Sequence, residues 1–181
     1  RVLGQNGITI WKKANGIDTT PVQPWSEQKS MSSERTFEQD TTDIQQLEST
    51  LLRMTEALAF ELRQKQKMTA CVTVKIRYSD FDTYTLQKRI PYTSFDHVLK
   101  EVVKGLFHQL YNRRLLIRLV GVRLSQLISG TYQMNLFEDS PEMVRLYQSL
   151  DTIRNRYGKH AIHSASAFVS SRKQEMAREP G

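Results

Sequence analysis

The chain has 181 residues and a single cysteine, Cys71. No internal disulfide can form, so a packed core must hold the fold, and a reducing, cytoplasmic setting is expected. Cys71 sits in an alternating apolar run and reads as a small buried hydrophobe rather than a nucleophile. No apolar run approaches the roughly 18 residues that a bilayer-spanning helix requires, so no membrane partner is expected. The four histidines, His97, His108, His160 and His163, have no cysteine partners at zinc spacing. There is no phosphate-cradling glycine loop, no Ser-His-Asp order and no acidic cluster at a strand end. Asp80 and Asp82 flank Phe81 in what reads as a turn. Neither a catalytic residue nor a metal site is therefore assigned. The start, Arg1-Val2-Leu3-Gly4, has no Met and no signal-peptide pattern, and is expected to be a cut inside a longer protein.

Positive charge is what the chain has in excess. Lysine and arginine total 26 against 19 acidic residues, a net +7 with a pI near 9.6. Such a balance suits a polyanionic partner and is also compatible with ordinary solubility.

Hydrophobic spacing predicts the elements. Gly4, Gly7 and Gly16 punctuate a short pattern with Ile8, Ile10, Trp11 and Ala14, predicting a brief helix that stops at Gly16. The stretch 21–28 (PVQPWSEQ) carries two prolines and reads as an extended linker. A first strand is predicted over 32–38. Thr42-Asp43-Ile44-Gln45 has a capping-box pattern, and Ile44, Leu47, Leu51, Met54, Leu58 and Leu62 then mark an amphipathic helix to about Lys65. From Ala70 to Tyr78 the chain alternates, with Val72, Val74, Ile76 and Tyr78 on one face and Thr73, Lys75 and Arg77 on the other. A turn at 79–82 leads to a strand over 83–90, with Tyr84, Leu86 and Ile90 inward and Thr83, Thr85, Gln87 and Arg89 outward. Lys88 interrupts the inward set, as edge strands allow. Ser94 is the expected cap of a second helix whose stripe is Phe95, Val98, Leu99, Val102, Leu106 and Leu110. The last strand, 115–128, loses parity between Arg118 and Arg123, which predicts a bulge near Gly121.

The order β-α-β-β-α-β predicts an α+β fold: a four-stranded, mainly antiparallel sheet with both helices on one face. The other face stays open. Its outward residues include Lys75, Arg77, Arg89 and Thr85, with no carboxylate among them. Beyond it, Ser140-Pro141-Glu142 starts a further helix with Met143, Leu146, Leu150, Ile153 and Tyr157 in one stripe and Gly158 as its stop. The polar residues 169–181 are expected to be disordered.

Several segments resemble one family. Lys29-Ser30-Met31-Ser32-Ser33-Glu34-Arg35-Thr36-Phe37-Glu38-Gln39-Asp40 (KSMSSERTFEQD) resembles the segment that opens the little-finger domain of Y-family lesion-bypass DNA polymerases of the DinB and UmuC type. Asp80-Phe81-Asp82 followed by Thr85 is similar to a hairpin of that domain, and Leu119-Val120-Gly121-Val122-Arg123-Leu124 to its final strand. The string from Gly4 to Asp18 resembles the end of the thumb domain. Gln133-Met134-Asn135-Leu136-Phe137 is similar to the peptide with which bacterial polymerases dock on the sliding clamp.

The resemblance implies that the sheet holds the backbones of primer–template DNA. The DNA-binding residues it implies are Lys29, Ser33, Arg35, Thr36, Lys75, Arg77, Thr85, Lys88, Arg89, Arg118 and Arg123. It also implies that Gln133, Met134, Leu136 and Phe137 bind the clamp. Leu119 departs from relatives with a second arginine there. The implied organisation is a thumb end at 1–20, a linker at 21–30, the little finger at 31–128, a clamp-binding tail at 129–140, a helical extension at 141–168 and a disordered end at 169–181. Catalysis in the family needs palm carboxylates holding Mg²⁺. None is recognisable here, so no cofactor is expected in this chain, and Mg²⁺ is expected only in the longer polymerase.

Two other readings share these features. One is a non-catalytic relative that keeps the grip and the clamp peptide. The other is an unrelated basic βαββαβ nucleic-acid-binding module. An RNA-recognition motif is disfavoured, because the run from Tyr84 to Ile90 has no glycine and a single, inward aromatic.

Overall fold

The structure, a computed structural model, describes residues 4–22, 27–113, 115–130, 141–159 and 161–165. The expected alternation is present. Helix α1 spans Gly4–Ala14, strand β1 Ser30–Thr41, α2 Ile44–Gln64, β2 Lys67–Tyr78, β3 Thr83–Thr93, α3 Asp96–Leu110, β4 Ile117–Ser125, β5 Ile128–Ser129 and α4 Pro141–Tyr157. The sheet runs β1-β4-β2-β3, with the short β5 pairing with the start of β2. All pairings are antiparallel.

The core lies between this sheet and α2 and α3. Val72, Val74, Ile76 and Tyr78 of β2, Val120, Val122 and Leu124 of β4, and Met31 and Phe37 of β1 are buried against Leu47, Leu51, Leu58 and Leu62 of α2. The strict alternation of β2 therefore does what its sequence predicts. Helix α3 is rotated from the predicted stripe. Leu99, Val103, Leu106 and Phe107 are its buried apolar residues, while Val98, Val102 and Leu110 are only half-buried. The apolar residues cover a broad face of about half the helix, and packing on the sheet selects its central part.

Local chemistry sets the element ends. Asp43 caps α2, accepting a hydrogen bond from Gln46 N at 3.1 Å, one position later than the Thr42 of the capping-box pattern. Ser94 does not cap α3. The cap position is Phe95, with no side-chain hydrogen bond, and the Ser94 carbonyl instead accepts from Arg63 at 2.7 Å. Strand β3 runs on through Pro91, because Thr69 faces Thr93 while Cys71 faces Arg89, so the chain bulges around a residue that has no N–H to give.

The bulge in β4 falls at Arg118, not near Gly121. Arg77 faces Leu119 and Tyr78 faces Ile117, leaving Arg118 as the extra residue. Gly121 is in register with both neighbouring strands.

Helix α4 differs most from its sequence pattern. Its buried residues are Tyr147, Asp151 and Arg154, whereas Leu146, Ile153 and Tyr157 are exposed. The attachment is ionic. Arg63 of α2 donates to Asp151 from Nε at 2.7 Å and from Nη2 at 2.9 Å, and to Asp96 of α3 at 2.5 Å. Arg154 lies 3.4 Å from Asp96. Burial works against the charge on Arg63, but its two carboxylate partners outweigh it and its pKa lies above the usual arginine range. The Tyr147 hydroxyl meets both the backbone N–H and Nδ1 of His97, at 3.1 and 2.8 Å.

The segment after α4 is held through Glu56 of α2. Burial favours the neutral acid there. Hydrogen bonds from Lys100 at 2.6 Å, Ser164 at 2.7 Å and His163 at 3.0 Å outweigh burial and hold its pKa at about 2, below the ordinary 4.5. A depressed carboxyl pKa adds stability above the unfolded value that is lost as pH falls through the folded one. Resistance to urea unfolding is therefore expected to fall from about pH 4.5 downward. In the Glu56→Gln variant that acid-dependent loss should shrink; an identical pH profile would show that Glu56 contributes nothing to it.

Candidate nucleic-acid interface

The register places outward side chains of the sheet in rungs that cross all four long strands. One rung runs Ser32, Arg123, Thr73, Gln87; the next Glu34, Gly121, Lys75, Thr85; the third Thr36, Leu119, Arg77, Thr83. Arg89 lies beside Cys71 and Ser125 at one end. Rungs are about 7 Å apart along the strands and neighbours within a rung about 5 Å apart. Cys71 is buried, as its run predicted.

The predicted site residues divide in two on this lattice. Lys75, Arg77, Thr85, Arg89, Arg123 and Thr36 share the open face. Ser33 and Arg35 have the parity of Met31 and Phe37, and Arg35 pairs with the buried Val120. Lys88 likewise faces the buried Val72 across β3 and β2. These three belong to the helix-side face at the two edges of the sheet, although Arg35 and Lys88 are exposed. Lys29 is exposed just before β1. Arg118 sits at the bulge, with its guanidinium 4.8 Å from the Phe81 ring centre and 3.8 Å from Asp40. Residues 133–137, the predicted clamp peptide, lie outside the described residues.

The cations of the open face differ in how they are occupied. Arg77 Nε donates to Thr83 Oγ1 at 2.8 Å, which aims its guanidinium along the face. Among the described residues Arg77, Arg89 and Arg123 take part in no ion pair, whereas Lys75 is held by Glu34, at 2.9 and 3.1 Å. Glu34 was missed by reading only the middle and later strands as the outward set; the expectation of a face without carboxylates is corrected by β1. The signal was present, since Met31 and Phe37 fix the parity of β1 and turn Glu34 and Thr36 outward. Leu119, where an arginine was absent, is only 8% exposed within its rung.

Nothing on this face resembles a catalytic centre. Asp80 accepts from the Asp82 backbone N–H at 3.0 Å, as a turn former does. His108 pairs with Glu48 at 2.9 Å, and His97 and His163 are engaged at α4 and Glu56. His160 lies outside the described residues. Among the described residues no three His, Cys, Asp or Glu side chains gather as metal ligands would. Nor is any described helix long and apolar enough to cross a membrane.

Fold and face together define a two-layer α+β domain with one uncovered, basic sheet surface. The impB/mucB/samB family C-terminal domain matches residues 28–136, and the chain belongs to that family. The Y-family resemblance carried by residues 29–40 is thereby borne out. DNA polymerase IV of Dehalococcoides mccartyi is 33% identical over 168 residues, covering 92% of this chain and 43% of the relative. DNA polymerase IV of Methanoculleus marisnigri is 38% identical over 129 residues, covering 71% and 36%. The chain thus spans less than half the length of these relatives. Among solved structures, the little finger domain of PolIV in a complex with the beta-clamp processivity factor superposes with a TM-score of 0.46 at 18% identity, covering 61% of this chain and 99% of that one. DinB from Sulfolobus solfataricus gives 0.49 at 20% identity, covering 70% and 37%.

Proposed function

We propose that this chain is the DNA-gripping and clamp-binding portion of a template-directed DNA polymerase that acts in damage tolerance. The observation that carries the reading is the open sheet face, on which Arg77, Arg89 and Arg123 stand without carboxylate partners among the described residues. Phosphates need cations, hydroxyls and free N–H groups, and Thr36, Thr73, Thr83 and Thr85 add hydroxyls beside the arginines. The face offers no exposed aromatic at its rung positions, so it grips backbone rather than stacking bases. Nucleotidyl transfer, with its Mg²⁺ ions, belongs in this reading to the part of the polymerase that the chain does not match. Membership of the family, together with relatives that are DNA polymerase IV enzymes, supports the assignment.

The test is the salt dependence of binding to a primer–template duplex. Each phosphate neutralised contributes a slope of about −0.9 in log K against log salt, so three arginines give roughly −3. The double variant Arg77→Ala/Arg123→Ala should flatten the slope by about 2 and weaken binding by roughly 10- to 100-fold at low salt. A flat wild-type profile, or a double variant that binds like wild type, would sink the reading.

Clamp binding through Gln133, Met134, Leu136 and Phe137 is the second part of the proposal. A peptide of this sequence uses its glutamine amide for polar complementarity and its Leu-Phe pair for buried apolar area. The little finger domain of PolIV has itself been solved in a complex with a beta-clamp processivity factor.

A further inference from the structure

Glu34 lies in the middle rung of the open face, on the edge strand β1, yet its partner is not on the next strand. Its carboxylate crosses β4 to reach Lys75 of β2, with both oxygens within 2.9 and 3.1 Å of Nζ. Two strand spacings separate β1 from β2, about 10 Å. The side chain can lie across β4 only because position 121 is glycine. A Cβ there would stand 2.8 Å from Glu34 Cγ and 3.3 Å from the Ser33 carbonyl. Space, rather than a left-handed backbone, is therefore what this glycine supplies.

Stability does not account for the arrangement. Side-chain exposures of 29% for Lys75 and 43% for Glu34 put the pair in the range of surface ion pairs, which contribute little to folding. Its consequence is at the face itself, where the central cation is neutralised and a carboxylate stands between the rungs of Arg123 and Arg77.

We propose that Glu34 is an affinity-limiting residue that withholds Lys75 from phosphate and keeps the grip on DNA releasable. The inference rests on the reading of this face as a DNA grip. With Glu34 in place, the backbone is held by the flanking arginines, while the central rung remains close to neutral. Removing the carboxylate's charge converts Lys75 into a further phosphate contact.

The experiment measures binding of the full chain to a primer–template duplex over a range of salt. Glu34→Gln keeps the side chain's size and is expected to bind about 5- to 20-fold more tightly at low salt, with a slope steeper by about 0.9. Glu101→Gln on α3, an exposed acid on the helix side, makes the same change in net charge and should match wild type in both readings. Adding Lys75→Gln should remove most of the gain from Glu34→Gln. If Arg77→Ala/Arg123→Ala weakens binding while Glu34→Gln behaves like Glu101→Gln, the inference is overturned and the DNA grip stands. A gain that persists undiminished in the Lys75→Gln background also overturns it, because general repulsion would then suffice. If the arginine variant has no effect, the underlying reading fails first.

Discussion

Replacing Arg63 by alanine is expected to destabilise the protein by about 3–5 kcal/mol, the range for breaking a buried ion pair from one side. The Arg63 side chain is 3% exposed and sits where three helices meet. It donates to Asp96 and to the Ser94 carbonyl from Nη1, to Asp151 from Nε and Nη2, and it covers the Tyr147 ring at 4.9 Å. Without it, the carboxylates of Asp96 and Asp151 share, among the described residues, only the cation of Arg154, at 3.4 and 3.8 Å. Two anions with one cation in a buried site cannot all be satisfied.

Arg63→Met fills more of the volume but leaves the same imbalance, so it should recover only part of the loss. Arg63→Met combined with Asp151→Leu removes one charge of each sign and should recover more than either change alone. Chemical unfolding of the wild type, Arg63→Ala, the two other single variants and the double variant measures this directly. An Arg63→Ala variant with an unchanged unfolding midpoint would show that the network carries no stability. Amide exchange should show the α4 region opening before the sheet, because α4 buries only Tyr147 and two charged residues.

This attachment also shows where sequence reading stops. Helix α4 has a clear apolar stripe, but the structure leaves Leu146, Ile153 and Tyr157 exposed and docks the helix through polar partners. Arg63 and Asp151 are 88 residues apart, and no local periodicity reports such a pair. Strand β2 was legible because its two faces are chemically distinct, with valine and isoleucine against threonine, lysine and arginine. Strand β1 was harder, since polar residues dominate both faces and only Met31 and Phe37 set its parity. The family likeness carried Ser33 and Arg35 over by motif position without asking which way they point. The order of elements survived all these local misses because each strand and helix was marked by its own alternation or stripe. The position of the β4 bulge did not, because Gly121 was credited with a kink when its role is to make room for Glu34.

The second large effect is expected at the clamp peptide. Leu136→Ala/Phe137→Ala should weaken binding to a bacterial sliding clamp by at least about 100-fold, since apolar anchors of this kind each carry about 2 kcal/mol or more. The flanking structure makes the expectation sharper. On the N-terminal side β5 pairs Ile128 and Ser129 with Met68 and Lys67, and Gly130 N donates to Gln66 O at 2.9 Å. On the C-terminal side α4 is bound to α2 and α3 through Asp151, Arg154 and Tyr147. The described elements on either side of residues 131–140, β5 and α4, are thus both attached to the sheet-and-helix body. Attachment at both ends restricts the conformations from which the peptide can bind and should reduce affinity relative to the same sequence free at one end. Truncating the chain after residue 140 is then expected to preserve clamp binding or strengthen it. Clamp affinity measured for the full chain, the alanine pair and the truncated chain separates these effects. Unchanged affinity in the alanine pair would remove the peptide assignment. Loss of binding on truncation would make α4 part of the clamp-binding surface. DNA binding should be the same in the full chain and the alanine pair, because neither residue is among those proposed to grip DNA.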